Sequence, residues 1–381
     1  MNLDEKAAKS LEAIVKEIAN SGRGDAYSSA FIEEQVNDVV SKLAGLPSAQ
    51  IKSAITLQVQ SLVTTLTQTQ LEEYKVTMPV SGVRVWPHLS VVKVGRCQIY
   101  SLANHKENRW LGKLALNKKI SHFLKFSPPG GSQYWIKTTV RAAKDDSEKR
   151  EELARDYIHK SLALLMLYSV LEKNAMIFLP KLPMIEIGPR KYASNNAYVT
   201  ETDQPYWAGE SFGSTTLPEL ALNDEALKAF SQLEFEKVSA ILSADSHSEV
   251  EQAILDSISV LYSSFSSSDP VWRYIGLVTS LERLLTMPRE GSIKRNLAER
   301  LAWVLGESST PEYRRGVQDR LEEIYGRRSE FIHQTTKIET LSADILDLHL
   351  YTLSLVATLS EGRFNTISDL KQWVAGKMLG F

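Results

Sequence analysis

The chain has 381 residues, 43% of them hydrophobic and 24% charged, and its 44 Lys and Arg against 46 Asp and Glu leave a formal charge of −2. That length allows two or three domains with substantial cores, and the near-neutral balance excludes a uniformly basic nucleic-acid coat while leaving room for a local RNA site. Cys97 is the single cysteine, which excludes an intramolecular disulfide and a thiolate zinc cluster and fits a reducing cytoplasm.

Residues 1–75 read as helical. Leu11, Ile14, Val15 and Ile18 form one apolar stripe ended by Gly22, and Phe31, Ile32, Val36, Val39, Val40 and Leu43 form a second ended by Gly45. Pro47 and Ser48 open a third helix with Ile51, Ile55, Leu62, Val63 and Leu66 on its apolar side. Charged residues interrupt the N-terminal apolar positions, so neither a signal peptide nor a membrane span is expected there. No other segment reaches the roughly 18 continuous apolar residues of a spanning helix, and no membrane partner is expected.

From 76 to 215 the texture is rich in strands. Val83–Trp86, Ser90–Val94 and Tyr134–Ala142 are β-branched and aromatic runs, with Pro128–Gly131 as a turn. A helix is expected over 147–171, then strands at 176–180, 184–188 and 197–202, and a linker over 203–216. From Leu217 onward the pattern predicts helices at 218–244, 249–264, 271–287, 292–305, 311–331 and 341–359 with a short terminal piece. Ser, Thr and Pro stand where caps and first turns fall. The reading is thus an α+β protein with two regions, 1–215 and 216–381, the second an antiparallel all-α bundle.

Within that bundle, Leu321, Ile324, Tyr325, Arg328, Phe331 and Ile332 share one helical stripe. Arg328 therefore lies among apolar neighbours, and a guanidinium there needs a carboxylate or a bound phosphate as its partner. Glu282 is expected on a helix whose apolar positions include Ile275, Val278, Leu281 and Leu285, and is a candidate partner in the core. Arg300 is a candidate for the same polar cluster. The other charges between Glu282 and Arg328, where ten basic residues stand against eight acidic ones, read as a salt-bridged solvated face. His333 follows Arg328 by five positions, about 140° round an ideal helix. Either the helix breaks before His333 or two copies of the segment face one another.

The order Ser280–Leu285, Leu297–Gly306 and Ile324–His333, with Tyr325, Arg328, Ser329 and His333 in register, resembles the HEPN domains and among them the ApeA-like group of bacterial phage-defence proteins. The family's His is usually followed by Gly, where Gln334 stands here. The resemblance implies a helical bundle over the last third of the chain. It also implies a homodimer whose Arg328 and His333 segments meet at a two-fold interface to cleave RNA without a metal or other cofactor, in antiviral or abortive-infection defence. Ser329 would orient the site or bond a phosphate, and Tyr325 would pack. In such chemistry a histidine moves the proton of the ribose 2′-OH and an arginine holds the phosphate charge, so RNA is selected over DNA. The N-terminal region would then sense a phage-derived trigger or hold the nuclease inactive. A second reading is a non-catalytic dimerisation or RNA-binding module in which the Arg–His pair is structural, and a third is a toxin held by an inhibitory partner.

Two other signals carry less. Gly209–Gly213 matches G-x-S-x-G, but it lies in a polar stretch beyond the nearest expected strand, and Pro218 follows soon after. His88, Cys97, His105 and His122 contain no close ligand pair, and nothing indicates a metal site.

Overall fold

The computed structural model describes residues 27–44, scattered positions between 54 and 66, and residues 71–101, 134–144, 146–171, 186–187, 198–199, 207–208, 219–267, 269–287, 290–333 and 341–380. The first predicted stripe, the 176–180 strand, the G-x-S-x-G segment, His105 and His122 lie outside them. The chain divides into two compact units, residues 1–76 with 138–156, and residues 77–137 with 157–381.

In the first unit, α1 (Ser29–Ala44) buries Ile32, Val36 and Val39 with Tyr27, Leu62, Leu66 and Ala143. The i, i+4, i+7 spacing of the helix residues is the amphipathic stripe expected from the sequence. Tyr27 donates its hydroxyl to the Leu66 carbonyl at 2.6 Å, and the Asp146 carboxylate accepts from both the amide (2.7 Å) and the hydroxyl (2.8 Å) of Ser28.

The sheet has five strands in the order β3-β4-β5-β1-β6, from β1 (Glu72–Ser81), β3 (Val91–Val94), β4 (Cys97–Ser101), β5 (Tyr134–Ala142) and β6 (Glu186–Ile187). β1 begins inside the stretch read as helical, and β4 was not anticipated at all. β4 completes an antiparallel hairpin with β3, Val91 opposite Tyr100 and Val94 opposite Cys97. The hairpin turns at Gly95, whose φ of +56° suits glycine and whose missing Cβ leaves room for Leu242, 2.8 Å from where a Cβ would stand. Two short strands, β7 (Tyr198–Val199) and β8 (Trp207–Ala208), pair antiparallel, the second within the stretch read as linker.

From 157 onward α2 (Ser147–Tyr168) belongs to the second unit, where Ile158, Leu162, Leu165 and Tyr168 join a continuous core with the strands and the C-terminal helices. The single helix expected over 218–244 is instead a strand and two helices. β9 (Leu220–Leu222) pairs parallel with β2 (Val83–Val85). α3 (Asp224–Ser231) and α4 (Phe235–Ser243) follow, parted at Glu234, whose φ of +57° is left-handed. Apolar Leu220 and Leu222 flank one residue, a period of two that a helical window absorbs.

The remaining helices are α5 (Glu249–Phe265), α6 (Pro270–Leu285), α7 (Ile293–Leu305), α8 (Pro311–His333), α9 (Leu341–Leu359) and α10 (Ile367–Met378). Three of their starts follow capping chemistry. Ser248 with Glu251 and Thr366 with Asp369 form capping boxes, and Asp269 accepts from the Val271 amide with Pro270 at the first helical position. α5 and α6 approach closely at Gly276, where a Cβ would stand 1.4 Å from Ser264 Oγ, and at Ser257, whose hydroxyl meets that of Ser280. No helix among the described residues is long and apolar enough to cross a membrane.

Candidate functional site

Helix α8 positions the candidate segment. Its inner residues Leu321 and Ile324 are fully buried, and the Ile324 carbonyl accepts from the hydroxyl of buried Tyr274 on α6. Burial first, and the negative charge of Asp344 second, hold that phenol above its ordinary range, so it remains a donor. The helix runs without a break through His333, which removes the alternative in which it ends before that residue. Positions 328 and 333 therefore stand about 140° apart on one helix.

One turn before Arg328, Tyr325 completes a three-membered set with α6. Arg328 Nη1 donates to Glu282 Oε1 at 2.5 Å and to the Tyr325 hydroxyl at 3.0 Å, and that hydroxyl donates to the same Glu282 oxygen at 2.7 Å. The guanidinium carbon also lies 5.5 Å from the Tyr325 ring centre, within cation–π range. Burial, then the bond to Glu282, raises the Tyr325 phenol above its usual range. Tyr325 thus hydrogen-bonds the acid that neutralises Arg328 as well as packing beside it. Arg328 is 25% exposed, so it sits at the edge of the core. Its Nε is buried and has no hydrogen-bond partner among the described residues.

Arg300 does not share these partners. It grips Glu290 with two guanidinium nitrogens, Nη1 to Oε2 at 2.8 Å and Nη2 to Oε1, and gives a further bond to the Leu285 carbonyl. Arg300 is only 5% exposed, and its bonds to Glu290 lower that carboxyl to about 2. It ties α7 to the segment after α6.

The sequence reading missed the most buried acid of this region. Asp344 on α9 is 1% exposed and receives Arg327 through a fork, Nε to Oδ2 at 2.8 Å and Nη2 to Oδ1 at 2.6 Å, together with Arg320 Nη2 at 2.8 Å. Asp347 and Glu323 complete the network. Burial opposes the charge of both arginines, and their bonds to these acids outweigh it, leaving both raised. In sequence Arg320 and Arg327 looked like part of a solvated face, because Asp344 lies on another helix beyond the connecting segment. A signal was available in Asp344, which stands with Leu341, Ile345 and Leu348 on the apolar side of its helix.

Lys294 on α7 is exposed and lies over α8 at Gly326, its ammonium 3.8 Å from where a Cβ on that glycine would be. Its neighbour Arg295 is taken by Glu299 at 2.6 Å. Positions 322, 326, 329 and 333 of a continuous helix share one face, so Lys294 is a cation beside the face on which positions 329 and 333 fall. No group of His, Cys, Asp and Glu among the described residues could hold a metal ion, and His88 is paired with Asp224 at 2.8 Å.

A scan against protein-family models, a search of curated proteins and a search of solved structures each found no match to this chain.

Proposed function

We propose that this protein is an endoribonuclease of the HEPN type, acting as a homodimer through Arg328 and His333 and serving in antiphage defence. What supports the reading is that Arg328, Ser329 and His333 occupy one uninterrupted helix, with Arg328 held in place by Glu282 and Tyr325. A rigid mount of that kind is what a catalytic pair requires. Because one helix separates positions 328 and 333 by about 140°, the arginine of one copy and the histidine of the other would form each site.

In that reaction the His333 imidazole takes the proton of the ribose 2′-OH, and the 2′-oxygen attacks the adjacent phosphorus. The phosphorus–5′-oxygen bond breaks, the leaving oxygen takes a proton from water, the imidazolium returns its own proton to the hydroxide so formed, and a 2′,3′-cyclic phosphate remains. Arg328 holds the charge that builds on the non-bridging oxygens. The side chains do this with proton transfer and fixed positive charge alone. RNA is incubated in EDTA with wild type, Arg328→Ala and His333→Ala, and the ends are analysed. Loss of cleavage in both variants with cyclic-phosphate ends in the wild type is expected; equal activity in all three sinks the reading.

The closed set of Arg328, Glu282 and Tyr325 also favours a second reading, in which the bundle is a non-catalytic dimerisation or RNA-binding module and Arg328 is an internal brace. Removing one partner of such a pair leaves the other uncompensated. That reading expects Arg328→Ala to unfold or monomerise the protein and His333→Ala to leave every function intact.

A further inference from the structure

A cavity of about 410 Å³ opens among the α3–α4 joint, the end of α7, the first turn of α8 and the C-terminal half of α9, within the range of small-molecule sites. One wall is apolar, formed by Leu233, Leu305 and Leu350, and two tyrosines, Tyr313 in the first turn of α8 and Tyr351 on α9, face the same space. The polar groups at the other side are acidic. Glu234 and Glu361 both line it, and none of the lining residues is basic.

The backbone adds negative potential of its own. Ser354, Ala357 and Thr358, in the last two turns of α9, line the cavity, and the C-terminal end of a helix carries the negative pole of its aligned peptide dipoles. Glu234 pairs with Lys237 at 2.8 Å, and the positive charges of Lys237 and Arg363 also act on Glu361, which makes no ion pair with a described residue. Glu234 reaches its place through the left-handed backbone at the α3–α4 joint, φ +57°.

An anion in this space would meet two carboxylates and a helix C-terminus, with no cation among the lining residues and Lys237 standing behind Glu234. A neutral apolar molecule would leave the acids unused. A cation finds carboxylate charge, the dipole and two tyrosine rings, whose π-systems attract ammonium groups, while the leucines accept hydrocarbon. We propose that this cavity binds a small organic ammonium, a primary or quaternary amine carried on a hydrocarbon body. The site is independent of the Arg328 chemistry, since it shares no residue with it.

The test uses the full chain and 2-phenylethylamine as probe, with the uncharged 2-phenylethanol and the anionic 3-phenylpropionate as controls, by calorimetric titration at low salt. The amine binds saturably and about threefold to tenfold tighter than the alcohol, the size of one exposed ion–π contact with one exposed ion pair, and the carboxylate does not bind. Glu361 is exposed, so Glu361→Gln folds, and it removes most of the amine's preference without changing the alcohol. Ser354→Phe fills the space and abolishes both. Equal affinity for amine and alcohol, an unchanged ratio in Glu361→Gln, or amine binding that survives in a folded Ser354→Phe protein would each overturn the proposal. If Ser354→Phe does not fold, the ratio measured in Glu361→Gln decides alone.

Discussion

His349 gives the sharpest stability prediction. It sits on α9 at 1% exposure, its Nε2 bonded to the Leu167 carbonyl at 2.7 Å and its ring stacked on Phe265 with centres 5.0 Å apart. Burial, with the positive charge of Arg273 as a smaller contribution, lowers the imidazole from 6.5 to about 4, against the opposing pull of the Leu167 carbonyl. As pH falls through 6.5 the unfolded chain takes up a proton that the folded one refuses until about 4, so stability present above pH 6.5 is lost across that window. At 1.36 kcal/mol per pH unit the loss is about 3 kcal/mol, a large part of the stability of a typical domain. Replacing the residue by glutamine keeps a donor for Leu167 and removes the titration. Urea unfolding at pH 7, 6, 5 and 4 should show the wild type losing about 3 kcal/mol relative to His349→Gln, with little of the difference accruing above pH 6.5. A difference between the two proteins that is flat with pH would refute the reasoning, because it would mean that the imidazole titrates alike in both states.

Two further outcomes follow from the packing. Asp344→Asn keeps the shape but leaves Arg320 and Arg327 without their shared buried carboxylate, and should cost about 3–5 kcal/mol in chemical denaturation; a change under about 1 kcal/mol would show that Asp347 and Glu323 suffice. Gly276→Ala should destabilise by about 1–3 kcal/mol despite alanine's better helix propensity, because the new methyl meets Ser264 Oγ at 1.4 Å. Ser264→Gly should restore the loss and Ser264→Ala should not, since the Ser264 Cβ itself would be 2.4 Å away and its Cα 3.6 Å. Thermal melts of the four proteins decide it.

The sequence by itself determined the long helices. The starts of α5 and α6 were read at Glu249 and Val271 and those of α8 and α9 at Pro311 and Leu341, against Glu249, Pro270, Pro311 and Leu341 in the structure, because turn residues and 3.6-residue periodicity are local properties of the chain. Strand β5 was equally plain, over Tyr134–Ala142, whereas β1, β4 and β9 were hidden. A strand gains its backbone bonds from a partner distant in sequence, and a short one such as Leu220–Leu222 leaves no period of its own. The tertiary structure also decided that residues 77–101 and the C-terminal helices share one core, which composition shifts along the chain do not reveal.

The same division runs through the candidate site. Arg328 stood out in sequence because a charge lay within an apolar stripe, and Glu282 and Tyr325 could be named beside it from helical spacing. Arg300 was grouped with Arg328 and Glu282, and the fold pairs it instead with Glu290. The pairing of Arg320 and Arg327 with Asp344 was invisible, since an ion pair across two helices depends on how those helices dock. Spacing along a chain fixes which residues share a face, and packing in three dimensions fixes which charges meet.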